Sequence, residues 1–316
     1  MVGRPDRRRF LRNLGSFGVA LAVTGWPALR ARGAPAPSAV PLREGLVQIE
    51  GAGGNVVALE TSEGVVLVDS GAPEHAEALA KLVAETFAAP VELLFNTHWH
   101  LAHTGGNDLF GRAGATIVAH ENTRLWMTTE FYVEWEDRTY PKRRPQAQPT
   151  RTFRSHEPQP IEIELGGRRM VYAHLKEAHT DGDIFVQFPE LNVVVAGGVL
   201  SVGRYPVIDY ITGGWIGGMI DATERLLALC DDETLIVPES GPAQRRTHLV
   251  AQRDMLTTVR ERIEELAVQG KSPAEMHEAG ITRDFDAAWG GDALAFLRNA
   301  YESMWWTGGR LRGIVA

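Results

Sequence analysis

Between residues 46 and 119 the chain alternates short apolar runs with glycine-rich breaks, a pattern that predicts strands and helices in turn. Leu46 to Ile49, Asn55 to Glu60 and Val65 to Val68 read as strands, the last ending in Asp69-Ser70-Gly71. Glu74 to Phe87 has helical period, with Ala76, Leu79, Ala80, Val83 and Phe87 on one face. A strand at 91–96, a helix near Asp108, a strand from Ala115 to Ala119 and a helix from about Glu121 follow. Helix and strand in alternation predict an α/β fold.

From Phe131 to Pro160 the pattern is lost: the segment is rich in Arg, Pro and aromatic residues and has little period. A long inserted loop of this kind is expected to cover or bind something. Strands are then predicted around 161–165, 169–175, 184–188 and 192–196, a helix from about Gly217 to Cys230, and a strand from Thr234 to Val237. Two strand runs, each followed by helix, imply two packed sheets with helices outside. Beyond Ala243 the chain reads as helical, with a capping box at Ser272-Pro273-Ala274-Glu275. Phe285, Trp289, Phe296, Tyr301, Trp305 and Trp306 are expected to pack this extension onto the main domain.

Composition changes the picture mainly at the N-terminus. Asp6-Arg7-Arg8-Arg9-Phe10-Leu11-Arg12, followed by the apolar stretch Leu14 to Leu29, fits a twin-arginine export signal occupying residues 1–34, with cleavage after Ala34, Ala36 or Ala39. A periplasmic or secreted destination is the expectation, with Ala34 to Pro41 as a flexible leader and no stable membrane span once the signal is removed. Loss of this leader, with seven Arg and one Asp, takes the formal charge from −8 to about −14, which disfavours nucleic acid as a partner. Cys230 is the single cysteine, so an intrachain disulfide and a cysteine-rich metal site are both excluded.

The candidate chemistry lies in Phe95 to Asn107, FNTHWHLAHTGGN, which places His98, His100 and His103 directly after a buried strand. They are expected on the loop at its C-terminal end, where sites are commonly built. His98 and His100, two apart in an extended segment, point to one side. His179, in AHTDGD between two strand patterns, is the candidate third ligand. Three neutral imidazoles with one open position suit zinc and lower the pKa of a bound water to ~7.

These segments resemble the metallo-β-lactamase superfamily, whose pattern is HxHxDH followed by GGN, then GHTxGD, a metal-bridging aspartate after a strand, and a last histidine in a PGHGP-like turn. The resemblance spans roughly residues 44–245 and includes Asp69, which matches the strand-end aspartate that supports the metal loop. It implies a four-layer αββα sandwich, here with the aromatic and basic insertion 131–160 and a helical extension, 246–316. It also implies that His98, His100 and His179 form the first metal site and that His103 is left from a second. Ala102, Gly198 and Ser240 stand where the remaining second-site ligands are expected. The expectation is therefore one zinc ion, or none, and a hydrolase acting on an ester, lactone, thioester or amide carbonyl of a small molecule. Glu239 and Asp183 are the carboxylates available to assist, and no oligomeric state is implied. The alternative is a catalytically inactive member that keeps the fold as a ligand-binding or interaction protein.

Overall fold

In a computed structural model, residues 36–154 and 159–306 are described; the expected export signal lies outside them. The first sheet is seeded by β1 (Ser38–Arg43), β2 (Leu46–Glu50), β3 (Val56–Thr61) and β4 (Gly64–Val68), an antiparallel meander. Helix α1 (Ala76–Phe87) crosses over to β5 (Val91–Phe95), parallel to β4. After the short helices α2 (Leu101–Thr104) and α3 (Asn107–Arg112), β6 (Thr116–His120) extends the sheet, and α4 (Glu121–Thr128) follows.

The 131–160 segment is more ordered than its sequence suggests. β7 (Phe131–Val133) and β8 (Arg138–Tyr140) form a hairpin, and β9 (Arg151–Phe153) joins the first sheet beside β6. Three-residue strands are too short to show a period, which explains why the segment reads as a loop. A second difference lies at the start. Ser38 to Pro41 belong to β1 rather than to a flexible leader, and Pro41 is tolerated because β1 is an edge strand.

The second sheet comprises β10 (Ile161–Leu165), β11 (Arg168–His174), β12 (Ile184–Phe188), β13 (Val193–Gly197) and β14 (Leu235–Pro238), antiparallel except for the β13–β14 pair. Helix α5 (Ile216–Leu229) connects β13 to β14. The chain then continues into α6 (Arg246–Val268), α7 (Pro273–Glu278), α8 (Asp286–Trp289) and α9 (Ala293–Trp306). The capping box at Ser272 forms as expected, with both reciprocal bonds present.

Side-chain alternation sets the layers. On β3, Val57 and Leu59 face Met170, Tyr172 and Val186 of the second sheet, whereas Val56 and Ala58 face Leu79 and Val83 of α1. Because both faces are covered, β4 and β13 are apolar throughout and fully buried, as in interior parallel strands. Each large aliphatic side chain so buried stabilises the fold by ~1.5–3 kcal/mol. The outer face of the second sheet packs on α5, α6 and α9, with Trp289 and Phe296 buried in that cluster. The result is the expected helix–sheet–sheet–helix sandwich, and the loops at one edge of the two sheets carry the histidines.

Candidate metal centre

The centre is assembled by loops that leave strand ends. β4 stops at Asp69, which takes a left-handed conformation (φ 65°), one that a short polar side chain tolerates better than most. Its carboxylate is thereby turned under the β5 loop: Oδ1 accepts from Thr97 N at 2.7 Å, and Oδ2 accepts from Thr97 Oγ1 at 2.7 Å and His103 Nδ1 at 2.9 Å. Asn96 and Asn107 exchange side-chain amide bonds of 3.1 and 2.8 Å, pinning both ends of the histidine segment. The second sheet is tied in where Ile184 N donates to Thr97 O at 2.8 Å.

His98, His100 and His179 converge, their ligand atoms all within 4.8 Å of one another. The three rings meet edge to face, with centroids 4.6 to 4.8 Å apart and interplanar angles of 82 to 87°. His98 and His179 are fully buried and His100 retains 16% side-chain exposure, so the cluster faces solvent through His100.

Each ring has one nitrogen committed to an oxygen. Thr97 Oγ1 donates to Asp69, so it accepts from His98 Nδ1 at 2.9 Å. His179 Nδ1 donates to Asp183 Oδ1 at 3.3 Å, and His100 Nε2 donates to Asp209 Oδ2 at 3.1 Å. The tautomers follow: Nε2 of His98 and of His179 are left as bare acceptors, buried and without a hydrogen-bond partner. Burying an acceptor unpaired costs about 1–3 kcal/mol, and both atoms belong to a cluster whose ligand atoms lie within 4.8 Å of one another, so one shared electron-pair acceptor or proton donor would satisfy both. A divalent cation meets that need, and oxygen-braced imidazoles are the usual supporting arrangement for one. The donor set therefore fits zinc.

The local field agrees at His98 and His100. Burial, reinforced by the neighbouring His103, His179 and His100, holds the His98 imidazole well below its ordinary pKa, in the neutral form a metal requires. His100 is likewise lowered by burial and by His179, against the opposing pull of Asp209. Burial alone would lower His179, but the hydrogen bond to Asp183 and the charges of Asp183, Glu239 and Asp209 together outweigh it and raise the pKa.

The other predicted residues divide. His103 lies on α2 rather than on the loop, its ring 4.4 Å from that of His98, and it is outside the three-histidine cluster. It packs on Gly54, where a Cβ would come within 2.7 Å of Nε2. Asp183 is fully used, accepting from Thr180 N at 2.5 Å as well as from His179. Glu239 is 7% exposed and pairs with Arg204; burial pushes its carboxyl up, but Arg204, His179 and His103 together hold it below the ordinary range. Ala102 and Ser240 offer no ligand of the expected type, and Gly198 packs directly against the His179 ring. Glu136, in the turn of the hairpin, accepts from Tyr140 at 2.5 Å, and its charge acts on His100.

Asp209 was not visible in the sequence. It sits in the aperiodic segment after β13, where no motif marks it. Its fully buried carboxylate accepts from Thr212 Oγ1 at 2.6 Å as well as from His100, and its backbone N donates to His179 O at 2.9 Å. Thr212 in turn accepts from Trp99 Nε1 at 3.0 Å. Trp99 packs with Val133 and Tyr140 of the hairpin, so the inserted segment rests on the residue between the first two ligands.

Comparison with known proteins places this geometry in a family. The metallo-beta-lactamase IND-1 of Chryseobacterium indologenes is 25% identical over 185 residues, covering 58% of this chain and 70% of the relative. A metallo-beta-lactamase from Pontibacter korlensis superposes with a TM-score of 0.52 at 21% identity, over 70% of this chain and 93% of that one. The stereoselective inverting sec-alkylsulfatase Pisa1 from Pseudomonas sp. superposes with a TM-score of 0.63 at 17% identity. That match covers 87% of this chain, and about half (51%) of the sulfatase. A family model for the metallo-beta-lactamase superfamily matches residues 49–246, most of the chain, and the chain belongs to that superfamily.

Proposed function

We propose that this protein is an exported hydrolase that holds one zinc ion on His98, His100 and His179 and opens an ester, lactone, thioester or amide carbonyl of a small molecule. The observation that carries the reading is the pair of buried, unpartnered Nε2 atoms on His98 and His179, each fixed by an oxygen on the opposite ring nitrogen. Zinc held there would supply Lewis-acid chemistry and a water made nucleophilic at neutral pH. Burial favours the neutral form of His98 and His100, and the protein's further part is to orient the three rings. Thr97, Asp183 and Asp209 do so at His98 Nδ1, His179 Nδ1 and His100 Nε2.

Between the two candidate carboxylates, Glu239 is better placed to accept a proton. Asp183 has both oxygens engaged, whereas Glu239 is ionised, lies within the field of His179 and His103, and meets Arg204 through Oε1. Substrate would enter on the His100 side, beneath the 131–153 segment. Export rests on the leader alone, Arg7-Arg8-Arg9-Phe10-Leu11 ahead of an apolar stretch.

The lactamase and sulfatase names belong to the similar proteins. Ala102, Gly198 and Ser240 separate this chain from the family's two-metal pattern, so neither activity is transferred here. The same three positions favour the second reading, an inactive ligand-binding member. A panel of nitrophenyl esters, lactones, thioesters and anilides decides between them when assayed on zinc-loaded protein, on chelator-treated protein and on His98→Ala. Turnover of at least one class, abolished by chelator and by the substitution, is expected. No turnover of any class by folded, zinc-loaded protein contradicts the hydrolase and leaves the binding role.

A further inference from the structure

A cavity of about 490 Å³ lies among three parts of the fold that meet beside the centre. Glu134 and Trp135 come from the hairpin turn, Tyr210 from the turn after Asp209, and Arg298 and Glu302 from α9. Its size is that of a small-molecule pocket. Its position follows from the neighbours of its walls. Tyr210 is next to Asp209, which holds His100, and Trp135 is next to Glu136, whose charge reaches His100. His100 is also the ligand through which the cluster meets solvent.

The charges on the walls are unspent. Elsewhere in this chain a basic residue four positions before an acidic one closes an ion pair: Lys81–Glu85 at 3.7 Å, Arg260–Glu264 at 2.8 Å and Lys271–Glu275 at 3.0 Å. Arg298 and Glu302 have the same spacing and order, yet neither makes a side-chain hydrogen bond or ion pair among the described residues. Both line the cavity instead, and the Glu134 side chain, likewise without a partner among the described residues, faces them. All three act on the Tyr210 hydroxyl, whose pKa is raised by burial and by Glu134 and Glu302 and lowered by Arg298.

We propose that this cavity is a subsite for a zwitterionic end group, in which Arg298 receives a carboxylate, Glu134 and Glu302 receive an ammonium, and Trp135 and Tyr210 flank a flat apolar part. One ammonium shared by Glu134 and Glu302 and one carboxylate on Arg298 engage all three charged wall groups, which a ligand with a single charge or none does not. Aromatic walls next to carboxylates suit an ammonium, and a guanidinium suits a carboxylate. The assignment of this end group to a substrate rests on the hydrolase reading, because only then is a reacting carbonyl held beside the pocket.

The test is calorimetric titration of L-phenylalanine, phenethylamine and 3-phenylpropionate into the full chain, with zinc and after chelation. Phenylalanine is expected to bind about tenfold more tightly than either singly charged probe. Arg298→Gln and Glu302→Gln, both surface changes outside the metal centre, are expected to remove most of that advantage while circular dichroism stays unchanged. Equal or tighter binding of phenethylamine or 3-phenylpropionate overturns the proposal, as does phenylalanine binding that is absent or indifferent to both substitutions. Because metal-free protein is titrated too, failure of hydrolysis and failure of the subsite are read separately.

Discussion

Gly198 lies directly against the His179 imidazole: a Cβ at 198 would fall well inside van der Waals contact with Nδ1, the atom that donates to Asp183. The position expected to carry a metal-bridging aspartate thus has no room for any side chain while His179 keeps its place. Absence of the aspartate and the present seat of His179 are two sides of one packing arrangement. Gly198→Asp, even combined with Ala102→Asp and Ser240→His, is therefore predicted to weaken metal binding instead of adding a second ion. It should also cost about 1–3 kcal/mol of stability through overpacking. Metal equivalents per chain and urea midpoints measure both; a second equivalent bound with no loss at the first contradicts the packing argument.

Asp209 joins two ligands, His100 through its carboxylate and His179 through its backbone N. Asp209→Asn keeps the size but loses the ionised acceptor that fixes the His100 proton on Nε2. Metal affinity is predicted to fall about 10–100-fold, the usual cost of losing such a support. Competition with a chromophoric chelator reads the affinity, and nitrogen NMR of metal-free protein reads the tautomer. Unchanged affinity together with an unchanged tautomer would remove Asp209 from the site.

How far these residues were legible differs for physical reasons. The layers could be read because β4 and β13 are unbroken apolar runs and α1 shows a clear helical face. His98, His100 and His179 could be read because they sit in two motifs, each anchored to a strand end. Asp209, Arg204 and the cavity walls could not be read: they lie on segments without period and are joined only by folding. Glu136 could not be read for the same reason, since a hairpin of three-residue strands brings it to Tyr140 and within range of His100. β1 was hidden by the Ala and Pro residues that precede it and by Pro41 within it.

Away from the centre, His120 and His174 stack face to face at 3.7 Å where β6 and β11 end. Burial, then His174 and Arg154, push the His120 pKa from 6.5 down to about 3. The unfolded chain therefore takes up the proton first: the stability contribution is complete above pH 6.5 and is lost as pH falls from there toward 3, with a slope of up to ~1.4 kcal/mol per pH unit. His120→Asn keeps an acceptor for Asn122 N at the start of α4 and removes the titration. Urea unfolding of metal-free protein between pH 7 and 5 should show a shallower loss for the variant by about 1–2 kcal/mol. Parallel slopes for the two proteins would contradict the assignment.

The central claim is that three histidines, and no more, hold one ion. Elemental analysis of full-length protein, purified without added metal and then equilibrated with excess zinc and desalted, tests it most directly. The account predicts one zinc per chain, falling to near zero in His98→Ala/His179→Ala and unchanged in His103→Ala. Two zinc ions per chain, or a folded wild type that retains none, would contradict it.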